Sequence, residues 1–274
     1  LLAWGNITYL PGAALAVFAL AGWIHSAEWP ILKRVAIFSV ISAFLFLAHL
    51  VALGAFALLA MAFELGRLWR LGMGAVLCGL SAAGVQFVLP AMLWLMVGPS
   101  RENRPTIFMD LSHHLYAFAS PLGFDRWLGQ APSAGAMVDL LLIDAVVVAL
   151  YAGVRSGRLR LMPALRWPLA VGAVVSLVMP VMVLSIFGMH LRLPIVLACV
   201  LVAGLRVDWP SQRHGVIAAL GLGMLLALRF GVVAGQMADC APFIDEMRTA
   251  LEAMPLGARL LRALAGLALA LLGL

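Results

Sequence analysis

The stretch VAIFSVISAFLFLAHLVALGAFALLAMAF, residues 35–63, runs without a single Asp, Glu, Lys or Arg. A bilayer core of about 30 Å is crossed by about 20 apolar residues of helix. Lipid offers no partners to backbone amides, so a crossing segment is a helix or part of a closed barrel. This run is continuous rather than alternating, which excludes the barrel. Comparable runs lie on both sides of it, near residues 4–24, 71–97, 136–154, 167–187, 193–205, 215–234 and 256–274. The expected fold is all-α: a polytopic transmembrane helical bundle of about eight spans, forming one domain over 1–274.

Residues 193–205 are too short to cross upright. They borrow residues from 188–192, thin the bilayer locally, or re-enter. Composition supports the membrane reading, with 65% hydrophobic and 11% charged residues. A water-soluble domain carries roughly 25% charged residues and needs them for its coat. The mean hydropathy is +1.08. All eight tryptophans fall near a span end or in a connector, where an indole sits half buried at the headgroup level.

The net charge of +6 comes from basic residues in short connectors rather than one patch. That pattern fixes orientation in a membrane and argues against nucleic acid. The densest group is Arg155, Arg158, Arg160 and Arg166. Placing it in the cytoplasm puts Arg67, Arg70, Arg206 and Arg213 there too, with the N-terminal end inside. Lys33, Arg34 and Arg192 then face outward, as do the connectors 98–135 and 235–255. The expected location is a bacterial cytoplasmic (inner) membrane, crossed several times. Three widely spaced cysteines, Cys78, Cys199 and Cys240, form neither a disulfide framework nor a zinc site. The chain opens on apolar residues with no basic region before them, unlike a signal peptide. The reading expects a native N-terminus further upstream.

Ionisable groups inside spans are costly and mark candidate functional positions. Asp144 is flanked by apolar residues within 136–154, and Arg229 lies in 215–234. A structural ion pair between them is the economical reading, and a proton or substrate site the sharper one. His49 sits in the middle of 35–63, where an interhelical hydrogen bond is the ordinary role. In the outward connector, residues 107–118 show helical spacing, with Ile107, Leu111 and Leu115 on one side. Asp110, His113 and His114 cluster on the other side and could form an acid-oriented base or metal ligand. The plainer reading is an interfacial helix with that polar face in water. His190 and Arg192 precede the short run and would suit a phosphate or carboxylate, against simple snorkelling of Arg192. The acidic connector 235–255 matches no calcium loop and reads as solvated surface.

The Trp4-Gly5-Asn6 opening with Tyr9, the His49 run ending at Glu64, and His190-Leu191-Arg192-Leu193-Pro194 resemble a group of bacterial multi-pass proteins. These are similar in architecture to the GT-C class of membrane glycosyltransferases. The resemblance covers residues 1–261. It implies an enzyme that uses a polyprenyl-phosphate-linked sugar on the outer side of the membrane, usually with a divalent cation. In that class the catalytic acid lies in the first outward loop. Here the expected loop, 25–34, holds only Glu28, so no catalytic residue is carried over. A non-catalytic subunit bound to other membrane subunits is the second expectation, and a transporter or lipid flippase the third. Membrane lipids are partners in each.

Overall fold

The computed structural model describes residues 9–97, 106–119, 134–183, 186–209 and 211–239, with positions 242, 245, 246 and 249 beyond them. By contact the chain divides into Leu1–Leu222 and Gly223–Leu274. The architecture is helical. Among the described residues, three helices are long and apolar enough to cross a membrane: Ile31–Ala48, Leu50–Leu71 and Met73–Met96. Tyr9–His25, Pro163–Val178 and Met189–Gly204 are apolar but shorter.

The run 35–63 is not one span. It belongs to two helices, α2 (Ile31–Ala48) and α3 (Leu50–Leu68), broken at His49, whose backbone is extended at φ −170° and ψ 115°. The break keeps its backbone hydrogen bonds. His49 N–H donates to the Leu45 carbonyl at 2.8 Å, and its own carbonyl accepts from Ala52 N–H at 3.0 Å. Its Nδ1 accepts from Val51 N–H at 3.2 Å, which caps the start of α3.

One contact shows how far the chain folds back. Arg34, near the start of α2, meets Glu64, near the end of α3, at 2.7 Å. In a continuous helix those residues would stand about 45 Å apart at roughly 1.5 Å per residue. The two legs are therefore antiparallel. Helix α1 (Tyr9–His25) lies against both, with Trp23 edge-on to Phe38 at 5.0 Å and Tyr9 beside His49 at 5.1 Å. Close approach at the break requires glycine: a Cβ on Gly12 would fall 2.9 Å from that of His49.

The end of this bundle that holds Arg34 is built around a buried ion cluster. Arg34 and Glu64 are each only 1% exposed. The Arg34 guanidinium stacks on Trp23 at 3.5 Å and donates to the Trp23 carbonyl at 2.7 Å and to Ser26 Oγ at 3.3 Å. Arg67 donates to Glu64 Oε2 at 2.7 Å from the same helix. Glu64 Oε1 lies close to Arg34 but off hydrogen-bond geometry, so that contact is chiefly ionic.

Helices α4 (Met73–Gly84) and α5 (Val88–Val97) continue one line through a 3-10 turn at Val85–Phe87. Pro90 falls in the first turn of α5, where its missing N–H costs no bond. Helix α6 (Leu111–Ala119) and helix α7 (Ala134–Arg155) follow. Helix α8 (Arg166–Val178) lies antiparallel to α3, its Trp167 over Gly66 and its Gly172 beside Leu59. Helix α9 (Met189–Gly204) runs back along α8, and α10 (Gln212–Asp239) begins beyond it. The strands are short. β1 (Leu159–Leu161) pairs antiparallel with β4 (Leu205–Val207), and β2 (Met182–Val183) with β3 (Ile186–Phe187).

Three further expectations change. The span expected over 167–187 stops as helix at Val178, because Pro180 disfavours helical geometry at Met179, which is extended. Met182–Val183 and Ile186–Phe187 instead pair as β2 and β3. The helix expected over 107–118 begins at Leu111, with Ile107 bridging to Met182. Its polarity is also reversed: Leu111 and Leu115 are exposed, while His114 and Ala117 are buried. In lipid an apolar face turns outward and the polar one packs.

The fourth change concerns sidedness. The break at His49 brings Lys33 and Arg34 to the same end as Arg67, Arg70 and Arg166. Tyr9 then starts at the opposite end, with Arg192. The expectation that Lys33 and Arg34 face away from Arg67 treated 35–63 as one helix where the chain forms two.

Two outcomes follow from this geometry. In sealed vesicles, with the native cysteines replaced by alanine, E28C and R70C will be labelled from one side and M109C from the other. Labelling of E28C together with M109C would refute the hairpin. Glu64→Ala leaves Arg34 buried without its partner and will cost about 3–5 kcal/mol in chemical unfolding in detergent. The apolar double variant R34M/E64L will recover much of that loss.

Candidate functional site

At the end opposite the ion cluster, two groups of side chains meet on α9 (Met189–Gly204): Tyr9 and His49 with Arg192, and His114 with His190. Tyr9, fully buried on α1, donates its hydroxyl to the Arg192 carbonyl on α9 at 2.7 Å. The Arg192 guanidinium lies 5.5 Å from the centre of the Tyr9 ring. His49, at the turn between α2 and α3, meets the edge of that ring. Its Nδ1 is engaged in capping Val51. The role found for His49 is therefore a cap, not the interhelical hydrogen bond expected of it.

Gly188 starts α9 with φ 77°, a left-handed conformation that glycine adopts without strain. This turn aims the first residues of α9 into the cluster. His190 is fully buried, and its ring centre is 5.8 Å from that of His114. Arg192 is the fourth residue of the helix and is half-buried. An anion at this position would meet the guanidinium and the positive end of the helix dipole, while Met189 N–H already donates to the Val181 carbonyl and Leu191 N–H to the Gly188 carbonyl.

His114 closes the cluster from α6 and is 2% exposed. Its Nε2 lies 2.7 Å from the Met179 carbonyl and its Nδ1 lies 3.0 Å from the Asp110 carbonyl. The Met179 carbonyl is available because α8 ends ahead of Pro180, leaving terminal carbonyls without helical partners. Carbonyl oxygens only accept, so the ring serves both contacts when both nitrogens carry protons. Asp110 is exposed, and its carboxylate accepts from Ser112.

The structure thus brings His49, His114, His190 and Arg192 to one end, with Asp110 one turn from His114. It does not add Asp144. That residue is exposed midway along α7. The side chains of Arg229, its expected partner, and of His113 lie outside the described residues. So does most of the connector 235–255. Among the described residues, no group of three or more His, Cys, Asp or Glu side chains is placed to hold a metal ion.

Two participants carried no chemical signal in the sequence. Tyr9 stood out only as part of the opening motif, and the Met179 carbonyl is visible only once Pro180 is known to end a helix. No protein-family model, curated protein or solved structure matches the chain.

Proposed function

We propose that this chain is a multi-pass protein of a bacterial inner membrane. On this reading its Tyr9–His49–His114–His190–Arg192 cluster takes the phosphate-bearing head of a lipid-linked substrate on the outer side. The observation that carries the reading is the burial of His190 beside His114, two residues ahead of Arg192 in α9, at the end away from most of the basic connectors. Buried ionisable groups are expensive in a membrane and mark sites of function. Guanidinium and imidazole donors around a helix start suit phosphate. With Lys33 and Arg34 moved, the positive-inside rule favours a cytoplasmic location for the ion-cluster end more strongly than before. The resemblance to polyprenyl-phosphate-sugar glycosyltransferases supplies the substrate class, and Asp110, which accepts from Ser112, is a carboxylate at that end.

The test is binding and sugar transfer with a polyprenyl-phosphate-linked sugar and the protein in nanodiscs. Arg192→Ala and His190→Ala will each weaken binding by about 2 kcal/mol or more, roughly 30-fold, with thermal unfolding unchanged within a few degrees. Wild-type affinity in both variants would remove the site from the function.

A second reading, a subunit of a larger membrane assembly, is favoured by α7. Asp144 is exposed there alongside Val147, Val148 and Tyr151. In lipid such a carboxylate costs about 2.5–3.5 kcal/mol, which a basic partner helix would offset. Native mass spectrometry of protein extracted from its own membrane will decide. A second polypeptide lost in Asp144→Leu supports the subunit, and a single chain in both samples excludes it.

A further inference from the structure

The ribbon formed by β1 and β4 carries an arrangement that the outer site does not explain. Arg160 and Arg206 are direct partners across the two strands. Directly opposed residues share one face of a ribbon, with Cβ atoms about 4.5–5.5 Å apart. Both arginines are exposed. Like charges so placed repel, and an anion seated between them would relieve that repulsion. Asp208 does this only in part: its carboxylate is 3.7 Å from Arg160 Nε, beyond the roughly 2.7–2.9 Å of a charge-assisted bond.

The ribbon is firmly held. Its other face carries Leu159, Leu161 and Leu205. Leu159 packs so closely on α7 that a Cβ on Gly153 would come 2.9 Å from its own. Met162 N–H donates to the Gly204 carbonyl at 3.0 Å, and Asp208 N–H to the Arg158 carbonyl at 2.8 Å. The backbone positions from which the two arginines extend are thus fixed beside each other before any ligand arrives, and Arg160 Nε also donates to the Gly157 carbonyl at 3.4 Å. Arginine in this form fits phosphate oxygens through paired bonds, which lysine cannot match.

The location selects the source of the phosphate. The ribbon sits at the ion-cluster end, beside the turn that leads into Trp167, and it runs out into Trp209. Both indoles are partly exposed, at 39% and 49%, as expected for anchors at the level of lipid headgroups. We infer that Arg160 and Arg206 clasp the phosphodiester of an anionic phospholipid at this end of the bundle. The site is independent of the outer cluster and of the substrate proposed there.

The test uses the whole protein in nanodiscs of phosphatidylcholine, with or without phosphatidylglycerol, and reads the thermal unfolding midpoint. Phosphatidylglycerol will raise the midpoint of the wild type, and the rise will be lost in R160Q/R206Q. R70Q removes a basic residue at the same end but outside the ribbon, and it will keep the rise. In phosphatidylcholine alone, R206Q will unfold at or above the wild-type temperature, because it relieves a repulsion. The inference is overturned if R160Q/R206Q responds like wild type, or if R70Q loses the rise equally. It is also overturned if R206Q is less stable in neutral lipid. Inorganic phosphate producing the same rise would show a soluble anion as the ligand and likewise overturn the lipid assignment.

Discussion

The contact between Arg34 and Glu64 sets the arrangement of everything around it. Two ionised groups almost wholly removed from solvent are unfavourable singly, since each loses its hydration. Held together, and supported by Trp23, Ser26 and Arg67, they become a closed polar unit inside an apolar bundle. Closing that unit requires α2 and α3 to lie back to back. That in turn places the break at His49 beside the start of α1, with Gly12 giving the clearance. The charged residues inside the bundle therefore gather at its two ends, with Phe38, Leu45, Phe56 and Leu59 and the buried polar Ser42 and Gln86 between them.

The two ends differ in chemistry. One is charge-paired: a carboxylate is answered by two guanidiniums, and Arg34 also donates to the Trp23 carbonyl and to Ser26 Oγ. The other is rich in donors. Imidazoles, a phenol and a guanidinium meet there around the start of α9, where helix amides add to the positive field. A charge-paired cluster holds a fold together, whereas a donor-rich one is suited to take a ligand. Asp110, whose carboxylate engages Ser112, lies at the margin of the second and not inside it.

Much of the helical character was legible in the sequence, because long runs without charge have few alternatives in lipid. The number and direction of the helices were less so. Hydropathy averages over windows, and a single histidine among leucines barely lowers the average at 35–63. Two signals for the break were nevertheless present. At about 1.5 Å per residue the run measures roughly 43 Å, well beyond a core of about 30 Å. It is also bounded by Arg34 on one side and Glu64 on the other, charges that attract once the chain doubles back. Pro180 similarly announced the end of α8. The inward turn of His114 was hidden for another reason: amphipathic spacing identifies two faces but not which one meets lipid. His190 and Arg192 were found as a pair from their position before an apolar run. Their meeting with Tyr9 depends on tertiary packing and has no local signature.

The one-residue connection at His49 has a bearing on how such a chain is made. A loop between two crossing helices ordinarily has to bring polar backbone and side chains through the hydrocarbon during synthesis. Here the tip of the hairpin exposes little beyond one imidazole, which is itself occupied in capping α3. The opposite charges sit at the trailing ends of the two legs and need not traverse the lipid at all. Entry of both helices together, as a neutral folded pair, is the low-barrier route into a bilayer that this tip permits.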